Sequence, residues 1–354
     1  MKNFKTSINN TSHGAHGEHG GHKGKSNFLY SVSSVYFVPP CELLVILYLV
    51  LGLTLSAQTA EVRYAVVPDN PRPGEPVTIG ISGGAEVKSA ALTLGGKQLA
   101  KAAFFPIPIE GGKQPFMAAV LAIPSTAQPG RAVITVEGAA GIAGEIAITI
   151  AGRDFASEVI ELNAALTGIR TEPDPQKTAE ANHLWSILNR TGVDAGQYNA
   201  WHFDKFSPPV TSTRRTSFFG DRRVYKYSSG NTDTSIHAGI DYGVPTGTAV
   251  TACGRGKVVL ARNRIVTGNS VIIEHLPGIY SLYYHLDKIE VTEGFFVEAG
   301  ALIGLSGATG LATGPHLHWE IRVFGENTDP DAFIARPILD KDAILGKIQD
   351  NINH

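Results

Sequence analysis

The sequence predicts a mainly β protein: two β-rich units joined by a short helical linker. Three observations predict it. From Glu61 to Gly152, short alternating apolar runs recur between Pro- and Gly-containing turns, which is strand periodicity. After Thr213 a second set follows, VIIEH, YSLYYHL and HLHWEIRV, separated by Gly-containing turns that suit antiparallel pairing. Between the two sets, one stretch carries helical spacing with helix-start signals.

Composition narrows the function. A 43% hydrophobic fraction with 18% charged residues over 354 residues is enough for a sizeable core and two or three domains. The formal net charge is −2 and no dense Lys/Arg block occurs, so no nucleic-acid partner is expected. Cys41 and Cys253 are the only cysteines, which excludes both a disulfide framework and a C-x-x-C metal knuckle. A metal site in this chain must use histidine and carboxylate.

Residues 1–60 divide into a polar tail, HGAHGEHGGH with His13, His16, His19 and His22, and the apolar run Leu43–Leu55. That run suits the core of a secretory signal and falls short of the ~20 residues that comfortably span a bilayer. Lysines precede it and Ser56, Ala57 and Ala60 follow, so a cleaved signal peptide is expected, with an N-terminal membrane anchor as the alternative. Either reading places the protein outside the cytoplasm, in the periplasm or cell envelope.

Residues 61–152 carry three alternating runs: Val77, Ile79 and Ile81; Val133, Ile134 and Val136; Ile146, Ile148 and Ile150. PRPGEPVTIGI resembles the opening of bacterial immunoglobulin-like modules, which implies an Ig-like β-sandwich. No ionisable cluster occurs there, and a spacing or docking role is expected. In the linker, 153–212, Asp174 and Pro175 form an N-cap and first-turn proline. Ala181, Leu184, Trp185 and Leu188 then follow at helical spacing, predicting one helix in which Trp185 is a packing residue. Residues 213–340 form the second β unit, and 341–354 a C-terminal tail.

The second unit concentrates histidine in three places. GPHLHWEIRV holds His316 and His318 two apart, on one face if the segment is a strand. An isolated H-x-H is equally readable as two satisfied strand histidines. HAGID holds His237 and Asp241 four apart, but Gly239, Gly243 and Pro245 argue against a helix and for a strand running into a loop. YYHL adds His285. A hydrolytic zinc site takes three protein ligands and leaves a position open, so five candidates exceed what the metal needs, and two histidines are left for proton transfer. HExxH, P-loop, G-x-G-x-x-G and G-x-S-x-G motifs are absent.

HAGIDYGVPTGTAV, GNSVIIEH, YSLYYHL and VEAGALIGLSGATGLATGPHLHWEIRV together closely resemble the M23 zinc metallopeptidases, the lysostaphin-like or LytM-type peptidoglycan endopeptidases. The resemblance covers roughly residues 213–333. Departures are small: Ala249 stands where proline is common and Gly243 where alanine is usual. It implies an antiparallel LytM-like peptidase domain in which His237, Asp241 and His318 bind Zn2+, while His285 and His316 form the catalytic pair. It implies as partner the peptide stems of peptidoglycan, whose cross-links would be hydrolysed. Glu320 is a candidate acceptor for the outer N–H of His318, and a surface glutamate is the alternative; His275 is expected to be structural. The competing function is a non-catalytic envelope protein that binds peptidoglycan or activates a wall amidase. GFFVEAGALIGLSG is similar to the hairpins of biotinyl and lipoyl carriers, but no modifiable lysine stands in it.

Overall fold

The computed structural model describes residues 63–82, 86–108, 116–190 and 201–350. The expectations for residues 1–60 lie outside the described residues. No helix among the described residues is long and apolar enough to cross a membrane.

The first β unit consists of two four-stranded antiparallel sheets. One orders the strands Arg63–Val67, Pro76–Ser82, Phe116–Ala122 and Phe105–Ile107; the other orders Lys97–Ala103, Val87–Leu94, Gly130–Gly138 and Gly141–Ile150. Period-two alternation puts Val77, Ile79 and Ile81 on one face, where they share a core with Ile134, Val136, Ile148 and Ile150 from the facing sheet. Burying these branched side chains between the sheets is the main stabilising contribution here.

Alternation fails in an informative way in the first sheet. FMAAVLA, the strand Phe116–Ala122, is apolar on both faces and nearly all buried. Ala119 and Leu121 face the sandwich core, whereas Ala118, Val120 and Ala122 face a second core containing Trp201, Phe206, Ile240, Trp319 and Phe333. The sandwich is therefore not the separate spacer that its composition suggests. One of its sheets is a wall of the C-terminal core. Arg153 reinforces the junction, pairing with Asp329 at 2.5 Å and donating to the Pro73 carbonyl.

The expected tail at 341–354 is instead a helix over Lys341–Asp350, which packs on the first two strands of that sheet. Ile344 is fully buried against Gly80, where an added Cβ would lie 2.2 Å from its Cγ2. Only a glycine leaves room for the helix, and the polar letters around Ile344 and Ile348 hid the two-residue contact.

The linker also holds more structure than expected. Strand Ser157–Glu161 pairs in parallel with Arg222–Lys226, which pairs antiparallel with Thr232–Ile236. Helices Ala164–Thr171 and Pro175–Leu188 follow. Asp174 caps the second as its position suggested, accepting from Gln176 N at 2.6 Å. The first is only eight residues long, includes Gly168 and is capped by Asn163, so its periodicity is too short to read. Trp185 is half exposed under the Arg322 guanidinium, whereas Trp201 is buried in the shared core.

The C-terminal unit is a ten-stranded sheet. Strand Ile279–Ile289 is its hub, pairing with Gly268–Leu276, Leu302–Ser306 and Leu317–Val323; the last also pairs with Gly239–Tyr242. His275 is fully buried, hydrogen-bonded to the Arg255 carbonyl and to Ser281 Oγ, and burial pushes its imidazole down to about 3. It is a neutral core residue with both ring nitrogens engaged.

Ile344→Ala is expected to destabilise the protein by about 2–5 kcal/mol, measured by denaturant unfolding. A variant as stable as the parent would show that the C-terminal helix is dispensable to the fold.

Candidate metal centre

Two neighbouring strands build the centre. The chain leaves Thr232–Ile236, turns through His237 and Ala238, and re-enters the sheet at Gly239, so His237 is on a connection and Asp241 on a strand. No helix is involved. Gly239 pairs with Glu320 and Asp241 with His318. A Cβ on Gly239 would sit 2.2 Å from the Trp319 carbonyl oxygen, so glycine permits the backbone approach that brings Asp241 against His318.

The three inward atoms form a tight triangle. His237 Nε2 lies 3.1 Å from Asp241 Oδ1 and 3.0 Å from His318 Nδ1, and His318 Nδ1 lies 2.8 Å from Asp241 Oδ1. All three residues are buried. The outer ring nitrogens fix the tautomers. His237 Nδ1–H donates to the Phe218 carbonyl at 2.8 Å, and His318 Nε2–H donates to Glu320 Oε2 at 3.2 Å. With the outer N–H groups so engaged, neutral rings would turn both inner lone pairs toward each other and toward a carboxylate oxygen. Three such atoms converging in a buried space need positive charge between them, a metal ion or, without one, a proton on His318 Nδ1 donated to Asp241. The triangle's edges are close to the roughly 3.3 Å edge of a tetrahedron with ~2.0 Å zinc bonds, so the residues fit Zn2+.

Without a metal, a proton supplies that charge. Burial alone would push His318 down, but hydrogen bonds to Asp241 and Glu320 outweigh it and carry the imidazole up to about 9. Burial likewise opposes ionisation of Asp241, yet hydrogen bonds from His237 and His318 hold its carboxyl well below the ordinary range. The cage favours positive charge at its centre. Glu320 is 2% exposed and paired with Arg322, so it is not a surface glutamate.

His285 and His316 stand beside the cage, their rings 4.7 Å apart. His285 occupies a left-handed backbone conformation, φ 61°, in the long hub strand. Non-glycine residues rarely adopt it, and held strain of this kind concentrates at functional sites. Its Nδ1–H donates to the Thr309 carbonyl at 2.7 Å, which leaves Nε2 with a lone pair. Burial first, then the neighbouring His316 and His318, push it down to about 3, so it is neutral. His316 precedes strand Leu317–Val323 and makes an isolated bridge to Gly307. Its Nδ1–H donates to the Gly314 carbonyl at 2.8 Å, and Nε2 points to Asp241 Oδ1 at 3.8 Å. Asp241, His285, His316 and His318 thus line one pocket, and His237 joins them through its contacts to Asp241 and His318.

Other participants were not legible. Tyr284 stacks on His318 with ring centroids 5.4 Å apart. Arg223 donates to Asp241 Oδ2 at 2.7 Å, and Ile160, Leu162, Tyr225 and Leu311 line the pocket. The adjacent arginines 222 and 223 gave a faint signal; Ile160 and Leu162 gave none, because apolar letters in a linker look like packing.

Fold and cage together describe a β-sheet domain built around a buried His-Asp-His triad that could hold a metal ion. Residues 235–330 match the family model of Peptidase family M23, and the chain carries an M23 peptidase domain. Peptidoglycan DD-endopeptidase ShyA of Vibrio cholerae is 43% identical over 118 residues, 33% of this chain and 27% of that protein. DD-carboxypeptidase/endopeptidase Mpg of Neisseria meningitidis is 38% identical over 122 residues, 34% of this chain and 27% of that protein. The chain thus spans about a quarter of the length of these curated relatives. A solved Pseudomonas aeruginosa structure described as a peptidase M23 aligns over 75% of this chain and 94% of its own, at 25% identity and TM-score 0.48.

Gly239→Ala is expected to force the strand carrying Asp241 off its neighbour. It should cost about 1–3 kcal/mol of stability by overpacking and weaken zinc binding. Denaturant unfolding and a zinc titration check both, and parental values in both would refute the close-approach role.

Proposed function

We propose that this chain is a zinc-dependent endopeptidase that hydrolyses peptide cross-links of bacterial peptidoglycan in the cell envelope. The observation that carries the reading is the pairing of the His237, Asp241, His318 cage with two further imidazoles, His285 and His316, that line the pocket beside it. The M23 match and a relative named as a peptidoglycan DD-endopeptidase support the substrate class. In this reading His237, Asp241 and His318 are the ligands, and His285 and His316 the catalytic pair.

Bound at the cage, zinc would polarise a peptide carbonyl and make a water acidic near neutral pH. The protein's own groups do the remaining work. One of His285 and His316 accepts the proton of the attacking water on Nε2 as the carbon–oxygen bond forms. The developing oxyanion would be steadied by the metal, or by the other imidazole when its Nε2 also carries a proton, since its Nδ1–H is committed to a backbone carbonyl. Return of the accepted proton to the departing amine nitrogen completes cleavage of the C–N bond and restores the first imidazole. Hydrogen bonds from the Nδ1 atoms to the Thr309 and Gly314 carbonyls keep both rings in the orientation these transfers need. The pocket walls, Ile160, Leu162 and Leu311, limit water around the reacting carbonyl.

A non-catalytic binding or activating role needs neither the cage nor the pair. A zymogram on purified sacculi, with and without chelator, separates the readings: clearing abolished by chelator and restored by zinc supports the enzyme. His318→Ala is expected to lose both zinc and clearing. His285→Ala should retain zinc while turnover falls about 10²–10⁴-fold. A zinc-replete, fully active His318→Ala would overturn the ligand set, and an active His285→Ala its place in the catalytic pair.

A further inference from the structure

Asp241 has two carboxylate oxygens, and the cage uses one. Oδ1 faces His237 and His318; Oδ2 accepts from Arg223 Nη2 at 2.7 Å. Arg223 is largely buried, its side chain 13% exposed, and lies on strand Arg222–Lys226. The neighbouring strand, Ser157–Glu161, pairs with it in parallel, with Glu158 opposite Arg223. Alternation along that strand turns Glu158 and Ile160 to the same side. There Glu158 Oε1 accepts from Arg223 Nε, and Ile160 joins Leu162 in lining the pocket of His285 and His316. Ser217 Oγ closes the group, donating to Glu158 at 2.7 Å and accepting from Arg223 Nη2 at 2.8 Å.

The arrangement is a line of alternating charge, Glu158, Arg223, Asp241, that ends at the cage. Guanidinium geometry makes it directional. The Nε edge is fixed by Glu158, so the planar fork cannot rotate about the arginine stem, and Nη2 meets one carboxylate oxygen in one orientation. Held that way, Asp241 offers its other oxygen to the metal and cannot swing to chelate with both. Glu158 also offsets the guanidinium charge, leaving the carboxylate's negative charge for the cation. Ser157–Glu161 lies outside the 235–330 family match and belongs to what reads as linker.

We propose that Glu158 is a positioning residue of the metal centre, acting through Arg223 to fix Asp241, and that strand Ser157–Glu161 is a working part of the site. The inference rests on the zinc reading above. Its test uses the full chain and zinc alone: Kd for zinc by competition with a chromogenic chelator, alongside thermal melting of the metal-free protein, for Glu158→Gln, Arg223→Gln, Arg223→Lys and the Glu158→Gln/Arg223→Gln double variant.

Arg223→Gln is expected to weaken zinc binding about 10–100-fold. Glu158→Gln should weaken it less, in the same direction. Because Glu158 acts through Arg223, the double variant should be no weaker than Arg223→Gln alone. Arg223→Lys, which keeps the charge and loses the fork, should recover little. Unchanged zinc affinity in Glu158→Gln and Arg223→Gln, with or without lower melting, overturns the proposal and leaves a merely structural ion pair. Additive losses would overturn the relay. A wild-type chain that binds no zinc overturns the metal reading and this proposal with it.

Discussion

Two imidazole nitrogens and a carboxylate oxygen, 2.8 to 3.1 Å apart in a buried space, repel one another unless a proton or a metal ion lies between them. The rest of the site is organised around that constraint. Outer hydrogen bonds to the Phe218 carbonyl and Glu320 hold the rings in the repelling tautomers, and Arg223 holds the carboxylate. Each partner is itself secured by a second polar contact, Arg322 on Glu320 and Glu158 on Arg223. The arrangement thereby favours positive charge at its centre, carried by a proton or by a metal ion.

Such a cage needs a stiff support, and the fold supplies one from parts that are distant in sequence. The strand bearing His318 is flanked by the Asp241 strand and the His285 strand. Its opposite face, through Trp319 and Ile321, enters a core shared with the first β unit. Helix Lys341–Asp350 presses on the outer strands of the same wall. The N-terminal sandwich thus braces the site from behind, while Ser157–Glu161 closes it from the side.

Sequence reading reached the chemistry better than the architecture around it. The five candidate residues were legible because ligand chemistry is carried by few residue types and strand parity puts His316 and His318 on one face; their division into ligands and catalytic pair came from the resemblance to M23 peptidases, not from spacing. Long-range geometry was not legible. The double-sided burial of Phe116–Ala122 looks like an ordinary apolar strand until its second neighbour is known. Glu158 and Ile160 reach the site through a parallel pairing across more than sixty residues of chain, which no local pattern announces. The C-terminal helix was hidden because its anchors, Ile344 and Ile348, stand among polar letters, and the first packs on a glycine far away in sequence.

The account stands on the identity of the donor set. X-ray absorption at the zinc edge of the metal-loaded full chain tests it most directly. The predicted shell is two imidazole nitrogens with light oxygen donors at about 2.0–2.2 Å and no sulfur. A sulfur at about 2.3 Å, which would place the metal at a cysteine, or a shell without imidazole scattering, would contradict it.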